Sequence, residues 1–286
     1  MRSFNNKKFF SFQTAANALG GFIEEPFQKI IPTLAPVSLP AAGGLATARS
    51  EAFNLDEIVS CSSAYSLVTG RESTKDGSIS MLATAVVEDL NILEVVTAER
   101  IVAQLSVTIT KEKGEDEYRR RISLAGSRFE GLRLAGRHCV PKLNLGLHQP
   151  QGSQGGYGSH STWQDMQRVG REQAEKLINC FKDRGDEEAY QWIMNRHGWM
   201  CAKPASGSQV LCSLVDGIEG AGSNGPCGHI VDIAEFGRIF LGEILISPDS
   251  VQLVSIRAEL GCPITGVITG PSPSCGGGGG AGGTSK

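Results

Sequence analysis

No stretch of this 286-residue sequence approaches the ~18 consecutive apolar residues that a membrane-crossing helix needs, so no integral membrane segment is expected. Aromatic residues are scarce, at 6% of the chain, and the formal net charge is only −3. That balance gives no general attraction to polyanions. The one basic zone, Arg119–Arg120–Arg121 with Arg128, Arg133 and Arg137, has Phe129 as the only aromatic interleaved after Tyr118. A stacking platform for single strands needs more, so nucleic acid is not expected as a partner. The eight cysteines, at positions 61, 139, 180, 201, 212, 227, 262 and 275, form no CxxC pair. Cys61 and Cys212 sit in apolar strand patterns and Cys180 beside the apolar stripe of a helix, settings that buried free thiols explain as well as disulfides do. There is no GxSxG elbow, and none of the five histidines lies in a recognisable catalytic setting.

What is present is mostly strand pattern. Along 100–110, Ile101, Ala103, Leu105, Val107 and Ile109 alternate with Arg100, Gln104, Ser106, Thr108 and Thr110, Val102 being the exception. Such alternation puts one face on a core and the other in water. Strands are also expected over 58–69, 78–87, 122–124, 132–134, 209–215, 239–246 and 251–260. The run 239–246 is apolar on both faces, as a covered central strand would be. The charged stretch 111–121 reads as a hairpin tip, and Ser247–Pro248–Asp249–Ser250 as a turn.

Between these β regions lies a helical block, residues 161–199. Trp163, Met166, Gly170, Ala174, Leu177, Ile178 and Phe181 recur at helical spacing. Thr162 with Asp165 resembles a capping box. Gly185 stops this helix, Asp186 is placed to cap a second, and Gly198 closes that one. The expected fold is therefore mainly β: an antiparallel β-sandwich or related layered β domain with an inserted helical hairpin. Residues 1–50 read as a leader and Pro/Ala/Gly linker, 51–262 as a single β domain, and 263–286 as a disordered Gly-rich tail. The h-region of the N-terminus is broken by Ser11, Gln13, Thr14 and Asn17, so no clear signal peptide is read. A cytoplasmic location is favoured on that ground, with secretion as the alternative.

Three motifs invite chemistry. Gly220–Ala221–Gly222–Ser223–Asn224–Gly225 matches GxGxxG, but a dinucleotide site needs a strand before it and a helix after it. The β-like run that follows Pro226 argues against one, and no cofactor is expected. Cys227 and His229, with His138 beside Cys139, are the only Cys/His clusters and the candidate site residues. Their spacing matches no zinc ribbon or finger, and no metal is expected. Glu88, Asp89 and Glu94 cluster near a strand junction, where a solvated acidic turn is the plain reading and glycosidic chemistry the sharper one.

Residues 85–107, AVVEDLNILEVVTAERIVAQLSV, and 126–144, GSRFEGLRLAGRHCVPKLN, resemble a pattern in uncharacterised bacterial β-rich proteins. HIVDIAEFGRIFLGEIL at 229–245 with VQLVSIRAEL at 251–260 is similar to their closing strand pair. Secreted proteins of the choice-of-anchor type share a looser version. The resemblance implies a β-rich fold and brings no activity and no catalytic residue. The expected function is a non-enzymatic binding or structural module, with an unknown protein partner or self-association. The alternative is a hydrolase acting on a saccharide or ester at the sheet edge.

Overall fold

The computed structural model describes residues 10–111, 118–144, 163–201, 209–221, 226–261 and 263–279. Two antiparallel sheets, one of eleven strands and one of ten, face each other across a shared interior. The ten-stranded sheet is built on the hairpin Ile79–Ile92 and Val96–Lys111, paired in register from Ile79↔Ile109 to Ile92↔Val96. Ile101, Ala103, Leu105 and Val107 point inward and are buried, as the alternation requires. Val102 departs from it because it pairs with Val86, and both are buried on the other face.

The chain enters the eleven-stranded sheet first, leaves for the ten-stranded sheet from Gly44–Ser50 onward, and returns with Val210–Ser213. Its centre is the pair Gly237–Ile246 and Ser250–Leu260. Ile239, Leu241 and Ile256 pack against Leu90, Ile92 and Ile101 of the facing sheet. A two-stranded ladder joins Val140–Leu143 to Val215–Glu219.

Both ends of the chain correct the sequence reading. Instead of a leader and linker, residues 10–50 hold the strands Phe10–Phe12, Ala15–Asn17, Leu19–Glu25, Lys29–Leu34, Val37–Ser38 and Gly44–Ser50. Ala18, Leu19, Ile23 and Ile31 among them are almost fully buried. Pro26, Pro36 and Pro40 lie between these strands, where a residue without an N–H costs the ladder nothing. The expected disordered tail likewise contributes Thr265–Thr269 and Ser272–Gly279 to the eleven-stranded sheet. Ser272–Gly279 lies between Ser250–Gln252 and the strands Phe10–Phe12 and Ala15–Asn17. Glycine is required there: a Cβ on Gly277 would come within 2.3 Å of the Ser11 carbonyl oxygen and 2.6 Å of the Phe10 ring.

The helical hairpin is present as α1 (Trp163–Asp183) and α2 (Glu187–Cys201). Asp186 accepts a hydrogen bond from the Ala189 N–H, the predicted cap. Thr162 and the side chain of Asp165, the expected capping box, and residues 112–117 at the tip of the 111–121 hairpin lie outside the described residues. The helix pair covers the outer face of the eleven-stranded sheet around Phe240, and α1 also runs along the edge strand Val210–Ser213. Leu177, Phe181 and Ile193 close over Ile230, Phe240 and Cys227, while Met166, Ala174 and Met200 reach Val210, Cys212 and Ile244.

Candidate functional site

Beneath α2 the sheet carries charge into the interior. Gly237–Ile246 would place Phe240 and Glu243 on opposite faces, since alternation has a period of two. Gly242, with φ +66°, is skipped in the register between Leu241↔Ile256 and Glu243↔Val254. Ser255 opposite is skipped with it, so the register is kept, and this break in both strands brings both side chains to the face under the helices. There Glu243 accepts hydrogen bonds from Arg257 Nε at 2.7 Å and from Arg196 Nη2 at 2.7 Å. The guanidiniums of the two arginines stack on Phe240, 3.7 and 4.8 Å from the ring centroid. Arg257 also pairs with Glu259. Burial pushes the Glu243 carboxyl up, but the Arg257 hydrogen bond and the charges of Arg257 and Arg196 outweigh it and hold the group at about 2.

His197 of α2 and His229 stand beside this network, rings edge to face at 6.1 Å. Both are buried, and neither Nε2 has a hydrogen-bond partner. Burial first, then the positive neighbours, lowers His197 to about 3 and His229 to about 4. Both imidazoles are therefore neutral at pH 7. Below 6.5 the unfolded chain takes up protons that the folded one refuses, so these groups withdraw stability as pH falls toward 4 and 3. Glu243 acts in the same sense between 4.5 and about 2. Melting temperature is expected to fall steadily on acidification below 6.5, and His229→Asn to show a shallower slope. A flat profile from neutrality to pH 4 would contradict the buried neutral pair.

Where the α1–α2 turn meets the end of the sheet there is an open groove of about 1170 Å³. Asp232 lies in it between Arg184 (2.8 Å) and Arg238. Arg238 stacks on Trp192 at 3.6 Å and Arg184 on Phe181 at 5.0 Å. Asp186, Glu235 and Glu259 complete the charged lining, and Gly237 and Gly261 bring main chain to the surface. The groove's wall is held by a disulfide between Cys180 of α1 and Cys227, Cα atoms 5.7 Å apart.

That bond corrects the reading of Cys227 as a candidate ligand or nucleophile, since a disulfide sulfur is neither. His229 shares its turn but faces His197 in the interior, and His138 is exposed in the short strand Arg137–His138 of the other sheet. The three candidates therefore do not converge on one cavity. Among the described residues no three His, Cys, Asp or Glu side chains are grouped to hold a metal ion. Of the glycine string, residues 222–225 lie outside the described residues. Gly220 directly ends the strand Val215–Glu219, and among the described residues the next element is the strand Ile230–Ile233. A Cβ on Gly220 would lie 2.2 Å from the His138 carbonyl oxygen, so close packing accounts for this glycine.

The other charged clusters are structural. Arg120 donates to the carbonyls of Ser247, Pro248 and Ser250, which holds the 247–250 turn. Glu88 accepts from Ser63 and pairs with Arg100, while Asp89 accepts from Ser62. The sequence reading missed Arg184, Asp232, Arg238 and Glu243 altogether. Glu243 alone had a visible signal, as a lone charge inside an apolar strand.

The architecture defines a class: a two-sheet antiparallel β protein with a helical hairpin locked onto one outer face and a polar groove at the hairpin's turn. Within that class the chain belongs to the family described as a domain of unknown function (DUF8256), matched over residues 10–247. No curated protein and no solved structure matches the chain.

Proposed function

We propose that the protein is a non-enzymatic binding module, with the groove between the α1–α2 turn and the sheet as its binding surface. One observation carries this reading: the charged groups of the groove are held in ion pairs with one another, and the buried titratable groups lie elsewhere. His197, His229 and Glu243 are buried beneath α2, whereas the groove is lined by Arg184, Asp232 and Arg238 bonded to one another. A catalytic centre needs its perturbed acid or base within reach of substrate. A binding surface needs only positioned donors and acceptors, which Asp232 and the two arginines supply.

The disulfide supports the secreted alternative over the cytoplasmic location, because such bonds persist in oxidising compartments. The carboxylates Asp232, Glu235 and Glu259 in one groove favour a second reading, the hydrolase of a saccharide or ester. Asp232→Asn tests both. In the binding reading, the protein turns over neither p-nitrophenyl esters nor p-nitrophenyl glycosides. It retains oligosaccharides or peptides from an array, and Asp232→Asn loses them while keeping its melting temperature. Turnover that Asp232→Asn abolishes would overturn this reading in favour of the hydrolase.

A further inference from the structure

A sheet edge is a row of unpaired N–H and C=O groups, and soluble β proteins blunt theirs with proline, charge, brevity or a cover. Most edges here are blunted. Lys29–Leu34, at one end of the eleven-stranded sheet, carries Pro32 and Lys29. At the other end Val210–Ser213 is only four residues long, and Gln173 of α1 caps it, accepting from the Ser213 N–H at 2.7 Å and donating to its carbonyl at 3.0 Å. Ile230–Ile233, beside it, is equally short and carries Asp232. In the ten-stranded sheet Tyr118–Ser123 carries Arg120 and Arg121, and Phe53–Leu55 has three residues.

Gly44–Ser50 is the exception. It is seven residues long, pairs on one side only, with Ser63–Glu72, and has no proline, no lysine and no charge pointing inward. Among the described residues no strand pairs with its other side. Leu45 on it is 67% exposed.

We propose that Gly44–Ser50 pairs antiparallel with the same strand of a second copy across a twofold axis, joining two ten-stranded sheets into one. The strand's own sequence argues for a second copy over any other extended chain. Centred on Thr47, the pairing sets Leu45 against Arg49 of the other copy, Ala46 against Ala48, and Thr47 against Thr47. The only charge on the strand therefore never meets its like, and the exposed Leu45 gains the aliphatic stem of an arginine. Thr47 and Arg49 are exposed on the same face as Leu45, and Ala46 and Ala48 on the other are small enough for close approach. A single strand pair buries less than the ~800 Å² per partner of a standard interface, so the dimer is weak and concentration-dependent.

Sedimentation velocity on the full chain over a concentration series tests this. Wild type shifts from monomer to dimer with rising concentration. Thr47→Lys and Thr47→Glu, each placing like charges opposite one another on the axis, weaken dimerisation by about tenfold or more. An equimolar mixture of the two recovers it. The same logic at Leu45 is a second, independent readout: Leu45→Lys opposes Arg49 and weakens the dimer, and Leu45→Glu pairs with it and does not. Both positions are exposed, so unchanged melting temperatures accompany these effects. Wild type that stays monomeric throughout, variants that dimerise as wild type does, or a mixture that recovers nothing would each overturn the proposal.

Discussion

Leu177→Asp is expected to destabilise the protein by roughly 4 kcal/mol, the cost of forcing a carboxylate into a packed apolar site with no partner. Leu177 is 2% exposed and packs among Phe181, Ile193, Cys227, Ile230 and Phe240. These residues come from both helices, the turn before Ile230–Ile233 and the central strand, so no single neighbour can move aside to admit water. Chemical denaturation measures the loss. Leu177→Ala should lose about 2–5 kcal/mol and Leu177→Met under about 1.5 kcal/mol, which separates cavity formation from charge burial. A Leu177→Asp chain as stable as wild type would show that the hairpin does not lie on the sheet.

How well each element could be read from sequence follows from its length and from how local its determinants are. Val96–Lys111 spans sixteen residues, long enough for alternation to declare itself. The helices were legible because a stripe of Met166, Ala174, Leu177 and Phe181 repeats over several turns, and because Gly185 and Asp186 punctuate them chemically. The first fifty residues hide strands of two to seven residues, too short for a period to emerge between prolines and glycines. The glycines of Ser272–Gly279 looked like an unstructured run because glycine lacks the side chains that reveal burial. The role of Gly277 is to let the backbone meet Ser11 and Phe10, which lie at the other end of the chain and are visible only in the pairing. Cys180 and Cys227 gave no local hint of each other, being 47 positions apart on a helix and in a turn. Glu243 was conspicuous, but its face depends on the break in the ladder at Gly242 and Ser255, which belongs to the pair of strands and not to one strand alone.

Arg257→Ala is expected to cost about 3–5 kcal/mol at neutral pH, as removing one partner of a buried ion pair does. Glu243 is 7% exposed and Arg257 13%, and the substitution leaves Arg196, itself 30% exposed, as the carboxylate's remaining partner. The stacking of the guanidinium on Phe240 goes with it. Its pH dependence distinguishes this from simple loss of packing. In wild type Glu243 titrates at about 2 folded and 4.5 in the reference state, so its stabilisation is full above 4.5 and lost as pH falls toward 2. With Arg257 gone, burial raises the folded carboxyl, and protonation relieves the variant just where wild type loses its advantage. The two stability curves should therefore be furthest apart near neutrality and converge on acidification. A gap independent of pH would assign the whole effect to lost contacts. The double variant Glu243→Leu/Arg257→Met, which removes both charges and keeps the volume, should recover most of the loss. If it does, the network adds little net stability, and its consequence is geometric: it fixes α2 at one position above the sheet, and with it the wall of the groove.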